Sequence, residues 1–319
     1  MLRAFFLYLS QSNLMRRIFT GFWLSRKVSS RFIAGENLDQ AVEVIKKLNN
    51  EGFFATLDHL GENVSNLSEA QGARQDYIEL IDRIESESLQ AGISLKLTQL
   101  GLELDPAACL DNLAQITRRA EKYGIFVRID MEHFEVLEDT LDIYRELQAA
   151  NLDNLGVVIQ SYLRRSQADV KELAANHTKI RLVKGAYDEP PEISFPSKEK
   201  VDEEFDIQAQ LMIDAASQAD PIDLPQDGRT PPMVALGTHD DVRIENAIEY
   251  ARSIDFPKRA LEIQLLHGIR MDLGRELMQR GYPVRIYVPF GNEWYPYFMR
   301  RLAERPANVW FFITNLIRG

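Results

Sequence analysis

From residue 53 onward the chain switches eight times between short strand-like runs and long helical ones, and this alternation constrains its fold more than any other feature. The β-branched or aromatic runs are Phe53–Gly61, Ile93–Gly101, Phe126–Glu132, Gly156–Leu163, Ile180–Tyr187, Met233–Asp240, Leu261–Ile269 and Val284–Gly291. Amphipathic patterns such as Gln75–Ala91, Ala107–Tyr123 and Glu203–Gln218 separate them. Strands alternating with helices pair in parallel through crossover connections. About eight such units in roughly 250 residues match a (βα)8 TIM-type barrel. A doubly wound sheet is the alternative. No GxGxxG or GxxxxGK follows any run, so the nucleotide fingerprints usual in that fold are missing. Ala219–Pro232, rich in Pro and Asp, reads as an insertion before the sixth strand.

Side chains of a strand alternate between two faces. In the second run Ile93, Leu95 and Leu97 oppose Ser94, Lys96 and Thr98. In the third, Val127 and Ile129 oppose Arg128 and Asp130; in the eighth, Val284, Ile286 and Val288 oppose Arg285 and Tyr287. The apolar rows must meet the surrounding helices, which turns the polar rows toward the barrel axis. A barrel filled only for packing carries branched aliphatic residues there. Here the inward row holds Thr56, Asp58, Lys96, Arg128, Asp130, Gln160, Arg181, Gln264 and Tyr287. Buried charge is costly unless paired or used, so this interior is expected to be a binding site.

Composition narrows the partners. A net charge of −11 over 319 residues argues against nucleic acid. Cys109 is the only cysteine, so there is no internal disulfide and no cysteine-based zinc site, and no metal is expected. No apolar run approaches the ~20 residues of a membrane-spanning helix. Residues 1–50 read as a helical arm ahead of a barrel over 51–319. Met1–Gly35 has no acidic residue but carries Arg3, Arg16, Arg17, Arg26, Lys27 and Arg31. The apolar stretch Ala4–Leu9 is short for a secretory signal. A transit segment fits the missing acids but not the missing boundary. A basic amphipathic arm fits best, docked either on the barrel or on an anionic membrane. The expected location is cytoplasmic, with peripheral contact to the inner face of the membrane left open.

Seven segments resemble the proline dehydrogenase family in its monofunctional bacterial form, and together they span the barrel. They are TLDHLGE (Thr56–Glu62), SLKLTQLG (Ser94–Gly101), RIDME (Arg128–Glu132), RLVKGAY (Arg181–Tyr187), GTHD (Gly237–Asp240), EIQLLHG (Glu262–Gly268) and YVPFGNEWYPYFMRRLAERPAN (Tyr287–Asn308). The last is the most specific. The resemblance implies an FAD-dependent oxidation of L-proline to 1-pyrroline-5-carboxylate, with electrons passed to a membrane quinone. It also implies that a last helix crosses the barrel mouth and carries Arg300 and Arg301 to the substrate carboxylate. Arginine forks suit that task because they bind carboxylates through two bonds.

By the same resemblance Lys96 joins the arginines on the carboxylate, and Asp130 holds that lysine and its neighbours. Tyr187, Leu266 and Tyr287 wall in the pyrrolidine ring. Arg181 lies close to flavin N5, and Asp130 and Arg181 are the catalytic candidates. Met131, Gln160, Lys184, Gly185, Ala186, Thr238 and His239 are implied to hold the cofactor. Glu62 gates the site and Glu304 steers the arginines, with Tyr297 beside them. Two rival readings stand beside this one. A Schiff-base aldolase would use Lys184, although the parity of its strand opposes that use. A non-catalytic membrane-associated scaffold would use the arm, and would not need a polar barrel interior.

Overall fold

The computed structural model describes residues 32–61, 64–219, 221–224 and 227–294. The period-two runs form strands β1 (Phe54–His59), β2 (Ala91–Leu95), β3 (Val127–Ile129), β4 (Leu155–Gln160), β5 (Ile180–Val183), β6 (Val234–Gly237), β7 (Leu261–Leu266) and β8 (Val284–Phe290). All neighbours pair in parallel, and β8 closes on β1 to complete an eight-stranded barrel. Around it lie helices α1 (Leu38–Asn50), α2 (Leu67–Ser86), α3 (Pro106–Glu121), α4 (Leu137–Ala149), α5 (Ser166–Ala175), α6 (Lys198–Ser217), α7 (Asp241–Ser253) and α8 (Met271–Gln279). The doubly wound alternative is thereby excluded.

The apolar rows face the helices. Leu57, Ile93, Leu95, Ile129, Val157, Leu182, Ile263, Ile286 and Val288 share one buried cluster with Tyr77, Leu80 and Ile81 of α2 and Leu113 and Ile116 of α3. Helix α1 contributes Ala41, Val42, Ile45 and Leu48 to that cluster, so the segment leading into β1 is part of the barrel's wall. Just before it, Ala34 N–H donates to the Pro289 carbonyl (2.9 Å).

Three boundaries depart from the sequence pattern, each for a local reason. The second run was expected to extend to Gly101, but β2 stops at Leu95 and Thr98–Leu100 forms a 3-10 turn. Glu132 accepts from the Thr98 N–H (3.1 Å) and hydroxyl (2.6 Å) and draws the chain out of the strand. Helix α2 starts eight residues before Gln75 because Asn66 caps it while Glu69 reaches back to the Ser65 N–H (2.7 Å). Helix α6 starts at Lys198 because the Ser197 side chain accepts from the Lys200 N–H.

The described end of the insertion (227–232) folds under the N-terminal ends of the strands. Arg229 donates to Glu85 (2.6 Å) and to the Tyr123 carbonyl (2.9 Å). Gly228 has φ +70°, and a Cβ there would lie 2.4 Å from the Phe54 ring, so the loop crosses where only glycine fits. Above it the buried Arg285 pairs with Glu262 (2.9 and 3.1 Å) and donates to the Gly228 and Ala55 carbonyls (2.8 Å each). These bonds occupy the axis at this end, and the larger cavity lies at the C-terminal ends of the strands. Leaving one charge of a buried pair unmatched costs about 3–5 kcal/mol. Glu262→Leu is therefore expected to lower the urea unfolding midpoint sharply, and adding Arg285→Met is expected to recover part of it. A double variant no more stable than Glu262→Leu alone would contradict the pairing.

Candidate active site

At the C-terminal ends of the strands lies a cavity of about 460 Å³, within the usual range for small-molecule sites. It is lined by Lys96, Asp130, Met131, Gln160, Arg181, Lys184, Gly185, Ala186, Tyr187, Thr238, His239, Leu266 and Tyr287. Strand parity and the ends of seven different strands, β2 to β8, bring these side chains together. Arg300, Arg301, Tyr297, Glu304 and Glu62 lie outside the described residues, as do the first 31 residues and the expected last helix.

Arg181 organises the interior. From β5 it donates to Asp130 (2.8 Å), to Ser94 (2.9 Å) and to Gln264 (2.6 Å), spanning the barrel to β2, β3 and β7. Its guanidinium also lies 5.3 Å from the centre of the Tyr287 ring. The other Asp130 oxygen accepts the Tyr287 hydroxyl (2.8 Å). Burial, and then the Asp130 and Asp58 charges, push that phenol well above its ordinary range, so it stays a hydrogen-bond donor. Beneath them Arg128 is fully buried, with its ordinary range lowered by burial and by the Arg181 charge.

Lys96 is held differently from expectation. Its ammonium bonds both oxygens of Asp58 (3.0 and 3.1 Å), while Asp130 bonds Arg181 and Tyr287. Asp130 follows β3 level with Lys96, but its two oxygens are taken by Arg181 and Tyr287, whereas Asp58, level with Ser94 on β1, keeps both oxygens on the lysine. Burial pushes the Asp58 carboxyl up, and Lys96 pulls it back.

Toward the β5 and β6 ends, Lys184 bonds Asp202 of α6 and Asp240, the latter at 2.6 Å. Burial pulls both carboxyls up, but the Lys184 bonds prevail and leave both below their usual range. Its strand ends one residue earlier, so parity no longer governs Lys184. That explains how it reaches the cavity although it opposes Arg181 in the sequence pattern. With its amine committed to two carboxylates, it is not presented as a Schiff-base nucleophile.

Gln160 is fixed by its amide nitrogen, which donates to the Met131 (3.0 Å) and Glu132 (2.9 Å) carbonyls. Its Oε1 is buried with no hydrogen-bond partner among the described residues. Gly185 sits at φ +118°, where a Cβ would come within 2.1 Å of the Tyr162 ring. Gly237 leaves the β6 wall low, since a Cβ there would meet Val183 at 2.8 Å. His239 bridges β6 and β7, its Nε2 accepting the Leu266 N–H (3.0 Å).

Sequence reasoning did not single out Val158, Val183, Lys198, Gly237, Asp240 and Leu265, which also line the cavity. Parity could have found Val158, Val183 and Gly237, which alternate with Gln160, Arg181 and Ala235. Nothing in the pattern marks Lys198, which arrives from the start of α6.

His267 stands just after β7, its N–H donating to the Tyr287 carbonyl (2.9 Å). Its Nδ1 is buried without a partner among the described residues, and burial lowers the imidazole from 6.5 to about 4. The unfolded chain takes up that proton near pH 6.5, whereas the fold resists it. The stability His267 contributes is therefore complete above about 6.5 and is lost as pH falls toward 4. His267→Phe is expected to flatten the unfolding free energy between those limits. A slope identical to the parent's would contradict this.

Comparison with known proteins bears on the whole chain. The sequence profile of the family described as Proline dehydrogenase matches residues 41–313. Proline dehydrogenase 1 of Bacillus subtilis is 36% identical over 318 residues, covering 100% of both chains. Proline dehydrogenase of Deinococcus radiodurans is 32% identical over 296 residues, covering 92% of this chain and 91% of that one. The fold is similar to proline utilization A from Bdellovibrio bacteriovorus, solved after inactivation by N-propargylglycine, with TM-score 0.77 and 27% identity. That match covers 87% of this chain and 32% of the other, so the chain spans about a third of that protein.

Proposed function

The chain belongs to the proline dehydrogenase family, and from that premise we propose that FAD is its resident cofactor and a membrane quinone its electron acceptor. The reaction is the first step of proline breakdown, oxidation of L-proline to 1-pyrroline-5-carboxylate. One observation carries the cofactor assignment: a single cavity joins a polar, cation-bearing floor to a buried amide oxygen that lacks a donor.

The residues fit a flavin. Gln160 Oε1 needs an N–H donor, which the edge of an isoalloxazine ring offers. Gly185, Ala186 and Gly237 keep the β5 and β6 walls low enough for a flat ring system. Lys184, with Lys198 beside it, supplies cationic hydrogen-bond donors for a pyrophosphate, and Thr238 and His239 complete that wall. Met131 lies between Asp130 and Glu132 on the wall beside Gln160. When bound, FAD supplies the two-electron acceptor for the hydride, and the Arg181 cation favours its negatively charged reduced form.

We assign the rest of the cavity to proline. Lys96 and the forks of Arg300 and Arg301 bind the carboxylate, with Glu304 and Glu62 orienting the arginines. Tyr187, Leu266 and Tyr287 confine the ring, and the Tyr287 hydroxyl crowds any ring hydroxyl. Asp130 keeps Arg181 and Tyr287 in fixed relation. The ring nitrogen must be unprotonated before the adjacent carbon yields hydride, so the free amine is the form taken to bind.

The arm was expected to span residues 1–50, but α1 packs into the barrel's core. We therefore assign Leu38–Asn50 to the catalytic barrel with 51–319, and the basic stretch before it to an arm. The arm's basic stretch would hold an acidic protein against an anionic inner membrane leaflet, within reach of quinone. No helix among the described residues is long and apolar enough to cross a membrane.

The purified protein is expected to be yellow, and its flavin absorbance to bleach on anaerobic addition of L-proline. A colourless preparation that takes up no added FAD would overturn the proposal. Arg300→Lys and Arg301→Lys are each expected to raise the KM for proline roughly tenfold, because a point charge cannot replace a bidentate fork. FAD content should stay unchanged; its loss would move the pair from substrate to cofactor.

A further inference from the structure

Asp58 is fully buried and does not line the cavity, yet both its oxygens bond Lys96 (3.0 and 3.1 Å). We propose that Asp58 is a positioning residue for substrate, holding the Lys96 ammonium in the one place from which it meets the carboxylate. The inference rests on the reading of Lys96 as a carboxylate-binding residue.

Lys96 needs such a tether. It lies one residue beyond the last residue of β2, where the ladder no longer fixes the backbone. Its four-carbon stem has many rotamers, and only a bonded partner selects one of them. Asp58 is anchored far better. It sits inside β1, level with Ser94 of β2 on one side and Pro289 of β8 on the other. Its short side chain has little freedom, so a strand-fixed carboxylate transfers its position to a mobile ammonium.

Charge leads to the same assignment. The Lys96 side chain is only 9% exposed, and an unpaired ammonium at that depth is costly. Among the described residues, Asp130, Tyr287 of β8 and Tyr77 of α2 also lie near Asp58. Asp130 bonds Arg181 and Tyr287. Tyr77 donates its hydroxyl to Gln99 (3.1 Å). Both Asp58 oxygens, by contrast, bond the Lys96 ammonium.

The test compares L-proline with L-prolinamide, which lacks the carboxylate, using a dye acceptor and the FAD-loaded protein. Lys96→Met, Asp58→Asn and the double variant are measured together. Lys96→Met should raise the KM for proline roughly tenfold or more and change prolinamide turnover little. Asp58→Asn should do the same, with FAD content and visible spectrum retained. In the Lys96→Met background Asp58→Asn should add nothing, since it acts through the lysine.

A full Asp58→Asn effect in that background, or equal losses for proline and prolinamide, would overturn the proposal. Lys96→Met with an unchanged KM would instead sink the substrate-site reading, and this inference with it. Should Asp58→Asn alone fail to fold, the double variant decides. Recovery of folded, FAD-binding protein supports a role exerted through Lys96, and continued failure assigns Asp58 to the fold alone.

Discussion

The ion pair between Arg181 and Asp130 is the interaction on which the rest of the site depends. It crosses the barrel axis at 2.8 Å and ties β5 to β3, while the remaining donors of Arg181 reach β2 and β7. Through the second Asp130 oxygen the same network holds the Tyr287 hydroxyl of β8. Five of the eight strands thus meet in one hydrogen-bonded group. A barrel core of this kind gives up aliphatic packing. It tolerates buried charge because Arg181, Lys96 and Arg285 are paired with carboxylates and Arg128 donates to the Val157 and Lys179 carbonyls.

Those partners are arranged in tiers. At the N-terminal ends of the strands Arg285 and Glu262 neutralise each other above the Gly228 loop. Gln264 links upward, donating to Glu262 and accepting from Arg181. Above it the Arg181–Asp130 and Lys96–Asp58 pairs leave the floor of the cavity close to neutral. A neutral floor with oriented cations does not by itself capture an anion strongly. An anionic substrate then needs further positive charge from above, the role assigned to Arg300 and Arg301.

Much of this was legible in the sequence because strand parity is rigid. The inward positions Thr56, Arg128, Asp130, Arg181, Gln264 and Tyr287 follow from counting by two, and their chemistry marks the interior as polar. What counting could not give was pairing across the axis. Asp130 was expected to hold Lys96, but Asp58 does so, because Arg181 reaches across the axis and, with Tyr287, takes both Asp130 oxygens. Parity also fails where a strand ends: Lys184 lies one residue past its ladder and is placed by partners on other elements. Lys198 and Asp202 come from a helix whose start is set by the Ser197 cap, and nothing in their own spacing points to the cavity.

The central claim is that Asp130, by joining Arg181 to Tyr287, holds the reacting groups in register. Its most direct test is anaerobic rapid mixing of FAD-loaded Asp130→Asn with saturating L-proline, following flavin absorbance. The account predicts normal flavin content and a first-order bleaching rate lowered at least tenfold, which is about 1.4 kcal/mol of lost transition-state stabilisation. Bleaching at the parent rate would contradict it.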